Sequence, residues 1–215
     1  MNSKLCVSIT EGKPIQIIPV MQKYGFVELC LDKLNYSAFE LASVIPFADR
    51  VIASFSTCKQ EDILSYTLCA AKCGANIIDI PIRYLSSLIV NRVRNNMTGF
   101  MPQLLFSYHN FGSYDIWKSE IEEAIERMYM FLPDYYKIAV SCQTRAEIDY
   151  LFSFYKRFES LREKLILVPM SDKFPQARVE ALKLGAQFMY CHTGKPQAPG
   201  QMLYEDMQKN CFHCN

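Results

Sequence analysis

Eight short, almost wholly apolar runs recur along the chain, most of them followed by a longer stretch of helical periodicity. The runs are Leu5 to Ile9, Phe26 to Leu31, Arg50 to Ser56, Ile77 to Ile82, Gln103 to Tyr108, Tyr136 to Val140, Leu165 to Met170 and Phe188 to His192. Strands this uniformly apolar are covered on both faces, as happens when helices wrap a parallel sheet. An open flavodoxin-like sheet usually takes about five or six strands, so eight predict closure. The expected fold is therefore a (β/α)8 TIM barrel of class α/β, with residues 1–215 forming a single domain and 210–215 a frayed tail.

The segments between the runs supply helices. From Gln60 to Ala71, the residues Ile63, Leu64, Thr67, Leu68 and Ala71 fall on one face, with Gly74 placed to end the helix. Ile116 to Met130 carries Ile121, Ala124, Ile125 and Met128 as its inner stripe and stops before Pro133. Arg145 to Phe158, Arg178 to Leu184 before Gly185, and Gln201 to Lys209 follow the same pattern. Pro14 and Pro19 in the first connection leave room for only a short helix there.

A hydrophobic content of 50% over 215 residues is enough to build one sizeable core. Lys and Arg number 23 against 22 Asp and Glu, and a net charge of +1 gives no overall drive toward nucleic acid or an anionic membrane. A small-molecule substrate fits better. No run is long enough to span a membrane, Met1-Asn2-Ser3-Lys4 leads into no secretory segment, and nine cysteines cannot all pair. The expectation is a cytoplasmic protein with free thiols.

In such barrels the C-terminal strand ends form the active face, so the residues where each run stops carry the information. Lys137 lies on an otherwise apolar strand. Burial disfavours an ammonium, so a desolvated lysine is expected to lose proton affinity and present a neutral amine able to attack a ketone. The plainer alternative is a solvated or salt-bridged lysine at the strand edge. His109 ends the preceding run, where a histidine can be catalytic or simply a hydrogen-bonded structural residue. A lysine and a histidine on adjacent strands favour chemistry over structure.

The ordered set of strand-end residues resembles the type I 3-dehydroquinate dehydratases. Ser107-Tyr108-His109-Asn110-Phe111 is similar to that family's Ser-x-His-Asp-Phe element, and Lys137-Ile138-Ala139-Val140 resembles its Schiff-base strand. Ala198-Pro199-Gly200-Gln201 matches its terminal lid, Glu28-Leu29-Cys30-Leu31-Asp32 resembles its Glu-x-Arg-x-Asp element, and Ala177-Arg178 with Leu184-Gly185 is similar to its Ser-Arg and following Gly. Single tetrapeptides are weak signals. Their family order over nearly the whole chain is specific.

The resemblance implies that 3-dehydroquinate loses water by syn elimination to give 3-dehydroshikimate, a step of the shikimate pathway to aromatic amino acids. Lys137 would form the imine that serves as electron sink, and His109 would move protons at C2 and at the departing hydroxyl. Arg178 would hold the substrate carboxylate, Gln201 and Gln197 would close over it from the lid, and Glu28 would bind ring hydroxyls. The same resemblance implies no metal or organic cofactor and no nucleic-acid or membrane partner, and leaves a homodimer as the candidate assembly.

Departures cluster on the substrate contacts. Cys30 stands where the family carries arginine, and Ser54-Phe55-Ser56-Thr57-Cys58-Lys59 offers neither the arginine nor the histidine-orienting glutamate expected after the third strand. Glu61 is a candidate replacement. Pro81 and Gln197 occupy places where an acidic residue and a serine are usual. Two other functions are therefore weighed: an impaired homologue that binds without turnover, and a class I aldolase. The aldolase would need a glycine-rich phosphate loop, whereas Gly185, Gly194 and Gly200 are spread apart.

Other signals read as structural. The tail Cys211-Phe212-His213-Cys214 lacks a fourth ligand and a scaffold for a metal. Cys69 and Cys73 are assigned to packing, His192 to a structural or solvent-facing place, and Glu120, Glu122, Glu123 and Glu126 to a solvated helix face.

Overall fold

In a computed structural model of the chain, which describes residues 4–55, 59, 62–95 and 101–212, eight parallel strands form one sheet. They are β1 (Leu5–Ile9), β2 (Phe26–Cys30), β3 (Arg50–Ser54), β4 (Ile77–Pro81), β5 (Gln103–Asn110), β6 (Tyr135–Ser141), β7 (Leu165–Met170) and β8 (Met189–Cys191). The order β7-β6-β5-β4-β3-β2-β1-β8 curls the sheet into a nearly closed barrel, in which the β7–β8 seam carries no ladder among the described residues. The fold is the TIM barrel that the eight apolar runs predict. Ser56, the expected end of the third strand, lies outside the described residues, as do Thr57, Cys58, Glu61 and the tail residues His213 and Cys214.

The helices are α1 (Pro14–Tyr24), α2 (Leu31–Leu34), α3 (Ala38–Val44), α4 (Ile63–Lys72), α5 (Ser87–Asn95), α6 (Tyr114–Tyr129), α7 (Arg145–Arg157), α8 (Ala177–Leu184) and α9 (Tyr204–Phe212). The first connection corrects the expectation, since α1 runs for 11 residues despite its two prolines. Pro14 sits in the first turn, where its missing N–H has no intrahelical partner to lose. Pro19 lies on the exposed side beside exposed Ile15, so the carbonyl it leaves unbonded can face water. Helix α3 begins with a capping box: the Ser37 hydroxyl accepts from the Glu40 N–H at 3.2 Å, and Glu40 accepts from the Ser37 N–H at 2.9 Å.

Strand alternation sorts the barrel into two apolar layers. Tyr136, Ile138 and Val140 of β6 point outward to the helices, while Lys137 and Ala139 face the interior. The predicted stripe Ile121, Ala124, Ile125 and Met128 of α6 is buried together with Trp117. The Trp117 indole N–H donates to the Ser141 carbonyl at 2.8 Å, fastening α6 to the end of β6. The Tyr108 hydroxyl donates to Glu120 at 2.5 Å. Glu120 is thus more than a solvated charge, since it fixes the strand that carries His109.

Candidate active site

The C-terminal strand ends surround a cavity of about 240 Å³. Every site residue expected from the sequence borders it: Glu28 from β2, His109 from β5, Lys137 from β6, Arg178 from α8, and Gln197 and Gln201 from the segment after β8. Inward-facing register explains the convergence. Glu28 pairs with Ile52, Ser107 with Lys137, and His109 with Ala139, so polar residues at alternate positions share one interior.

Lys137 is buried, 5% exposed, and is bonded directly to the Asp79 carboxylate. Its Nζ lies 3.9 Å from Glu28, 3.5 Å from the Tyr190 hydroxyl and 4.7 Å from the centre of the Tyr190 ring. This corrects the expectation of a lysine depleted of proton affinity. Burial does disfavour its ammonium, but Asp79 and Glu28 pull the other way and the balance is a pKa above the ordinary lysine value. The lysine at rest is an ammonium, and imine formation must begin with loss of a proton.

His109 is exposed to the cavity, yet crowded enough by protein atoms that its pKa is lowered to about 4. Desolvation is the largest cause, the charge of Lys137 adds to it, and Asp79 opposes it. At neutral pH the imidazole is therefore uncharged with a lone pair free to take a proton, though it is a weaker base than an ordinary histidine. No described residue hydrogen-bonds its ring, and Glu61, the candidate partner after β3, lies outside the described residues.

Arg178 is 1% exposed. Its Nη2 donates to the Pro199 carbonyl at 3.0 Å, its Nε has no partner among the described residues, and no described carboxylate forms a salt bridge with it. Burial lowers its pKa to about 10, which still leaves it charged at neutral pH. The charge of Asp172 opposes this burial only in part; a buried cation without a direct ion pair is costly, and an anion entering the cavity would offset that.

The lid is joined to the barrel floor. Gln201 donates to the Ser8 hydroxyl and to the Cys191 carbonyl, each at 3.1 Å, and accepts from the Gln197 N–H at 2.6 Å. Ser8 in turn donates to Glu28 at 2.8 Å. The Gln197 side chain turns back to the Lys195 carbonyl at 3.1 Å. Gly200 has φ +67°, and its N–H donates to Asp172 at 2.8 Å. That N–H is therefore engaged within the protein, which argues against a phosphate loop at this place.

Sequence reasoning overlooked Asp79, Tyr190 and Ser8. Asp79 had a signal as clear as that of Lys137, a single charge inside the apolar run Ile77-Ile78-Asp79-Ile80. Tyr190 had none, because an aromatic residue in a strand is ordinary. At the positions of the missing arginine contacts, Cys30 borders the cavity with its thiol donating to Asp32 at 3.2 Å, and Ser54 is buried. His192 does not border the cavity; its Nδ1 accepts from the Gly194 N–H at 3.2 Å.

Comparison with known proteins gives a consistent family. The sequence model of the family described as "Type I 3-dehydroquinase" matches residues 5–212. A 3-dehydroquinate dehydratase of Archaeoglobus fulgidus is 27% identical over 110 residues, 51% of this chain and 52% of that protein. That match therefore spans about half the relative's length. One of Thermococcus gammatolerans is 25% identical over 193 residues, 85% of this chain and 84% of the relative. Among solved structures, the type I 3-dehydroquinate dehydratase of Clostridium difficile superposes with a TM-score of 0.81 at 17% identity, over 97% of this chain and 91% of that one. At that identity the superposition speaks for the fold alone.

Proposed function

The chain belongs to the type I 3-dehydroquinase family, and from that premise we infer that it is a hydro-lyase converting 3-dehydroquinate to 3-dehydroshikimate and water through an imine on Lys137. One observation carries the reading beyond family membership. A single cavity is bordered by a buried amine held by carboxylates and by a buried guanidinium that forms no salt bridge among the described residues and has an unpartnered Nε. That pair is complementary to a keto acid, with the ketone toward Lys137 and the carboxylate toward Arg178.

His109 then removes the C2 proton and returns one to the departing C1 hydroxyl. Glu28, Gln201 and Gln197 form the wall that faces the substrate's hydroxyls. No helix among the described residues is long and apolar enough to cross a membrane. The reading places the enzyme in the cytoplasm, with a homodimer as the assembly to be checked by sedimentation.

The test is to incubate the protein with 3-dehydroquinate, follow the conjugated enone by absorbance, and reduce with borohydride for mass analysis. The parent protein and Lys59→Ala should both give enone and a reduced adduct, while Lys137→Ala gives neither. Normal turnover by Lys137→Ala would refute the imine. A second reading, binding without turnover, draws on Cys30 and Ser54 standing at the cavity where the family resemblance leads one to expect arginines. Its signature is a trapped adduct with no enone.

A further inference from the structure

Imine formation from an ammonium requires a group to take its proton, and the surroundings of Lys137 narrow the choice. Glu28 stands 3.9 Å away with its other oxygen accepting from Ser8. Tyr190 is a phenol whose proton is held more firmly than usual by burial and by the nearby carboxylates Glu28 and Asp79, so it stays neutral and offers no phenolate to take the proton. His109 makes no hydrogen bond to Lys137 among the described residues. Of the two carboxylates, Asp79 is the one in direct contact, through Oδ2, while its Oδ1 is buried with no hydrogen-bond partner among the described residues. A buried carboxylate oxygen without a donor is costly unless a group brought to the site supplies one.

We propose that Asp79 is a catalytic residue that carries one proton from the Lys137 nitrogen to the oxygen leaving as water during imine formation, and then stands as counter-ion to the iminium. This rests on the dehydratase reading of the same cavity. The step balances. The ammonium passes a proton to Asp79, leaving a neutral amine and a neutral carboxyl. The nitrogen lone pair bonds to the ketone carbon, and the carbonyl π pair moves to oxygen, which takes a second proton from the nitrogen. The nitrogen lone pair then forms the C=N bond as the C–O bond breaks, and Asp79 gives its proton to the departing oxygen. The nitrogen keeps one proton, the water carries two, and Asp79 is again a carboxylate beside a cation. Hydrolysis of the product imine runs the same transfers backwards, and Oδ1 supplies a second acceptor for the water.

Asp79→Asn tests this because the amide keeps the shape of the carboxylate and cannot carry the proton. A residue that merely held the ammonium would give the opposite result, since its loss leaves the lysine more readily neutral and adduct formation faster or unchanged. The measurement is the rate of borohydride-trapped adduct with 3-dehydroquinate, quenched rapidly and read by mass, with circular dichroism confirming the fold. The expected result is a rate at least about 100-fold below the parent. Asp79→Glu, which restores a carboxylate, should form the adduct at least about tenfold faster than Asp79→Asn. Adduct formation by Asp79→Asn at the parent's rate, or no gain from Asp79→Glu, overturns this assignment alone. A parent protein that gives no adduct overturns the dehydratase reading, and this proposal with it.

Discussion

His109 stands one inward-facing step nearer the barrel mouth than Lys137, because Ser107 is the register partner of the lysine and His109 pairs with Ala139. The lysine can therefore hold a substrate carbon from below while the imidazole works on atoms further out. Their tasks separate in experiment. His109→Ala should lower turnover by about 100- to 10,000-fold and still permit a borohydride-trapped adduct. Turnover equal to the parent would remove His109 from the acid–base role.

The depressed proton affinity of His109 also makes a stability prediction. Its folded pKa of about 4 lies below the ordinary 6.5, so between those values the unfolded chain binds a proton that the folded chain does not. Stability therefore falls as pH drops through that window. Replacing His109 with glutamine removes this contribution. Denaturant unfolding at pH 7 and at pH 4.5 should show the parent losing more stability than His109→Gln, and an equal loss would contradict the desolvated histidine.

Most of the barrel was legible because a strand covered on both faces leaves a continuous apolar run, and the site residues were legible because strand ends point to one mouth. What resisted reading was pairing and sign. Lys137 could be seen as a buried charge, but the sequence does not say that Asp79, far away in the chain, opposes it, so desolvation appeared to win when the carboxylates in fact outweigh it. The prolines of α1 misled for a related reason. Their effect depends on which side of the helix faces water, which is a tertiary fact.

Arg178 should show that a binding residue can be unfavourable for the fold. A buried guanidinium that forms no salt bridge costs stability, since the charge of Asp172 offsets its burial only in part, and an apolar side chain of similar reach carries no such cost. Arg178→Met is expected to leave the melting temperature of the ligand-free protein unchanged or higher, while raising KM for 3-dehydroquinate about 10- to 100-fold through loss of charge-assisted bonds. Arg178→Lys should recover little, because an ammonium cannot reproduce the guanidinium fork. A marked fall in melting temperature with KM unchanged would make Arg178 structural.

Gly200 decides whether the lid can sit where it does. A Cβ at this position would stand 2.2 Å from the Ser171 carbonyl oxygen, and φ +67° is a conformation that glycine alone adopts freely. Alanine here must push the segment off Ser171, stretching the bond from the Gly200 N–H to Asp172 and displacing Gln201, which links the lid to Ser8 and through it to Glu28. Gly200→Ala should cost about 1–3 kcal/mol in denaturant unfolding and weaken substrate capture together. Gly194 is the internal control, since nothing lies within 4 Å of a Cβ built there. Gly194→Ala should stay within about 0.5 kcal/mol of the parent with KM unchanged. Equal behaviour of the two variants would show that the packed lid has no part in holding the substrate.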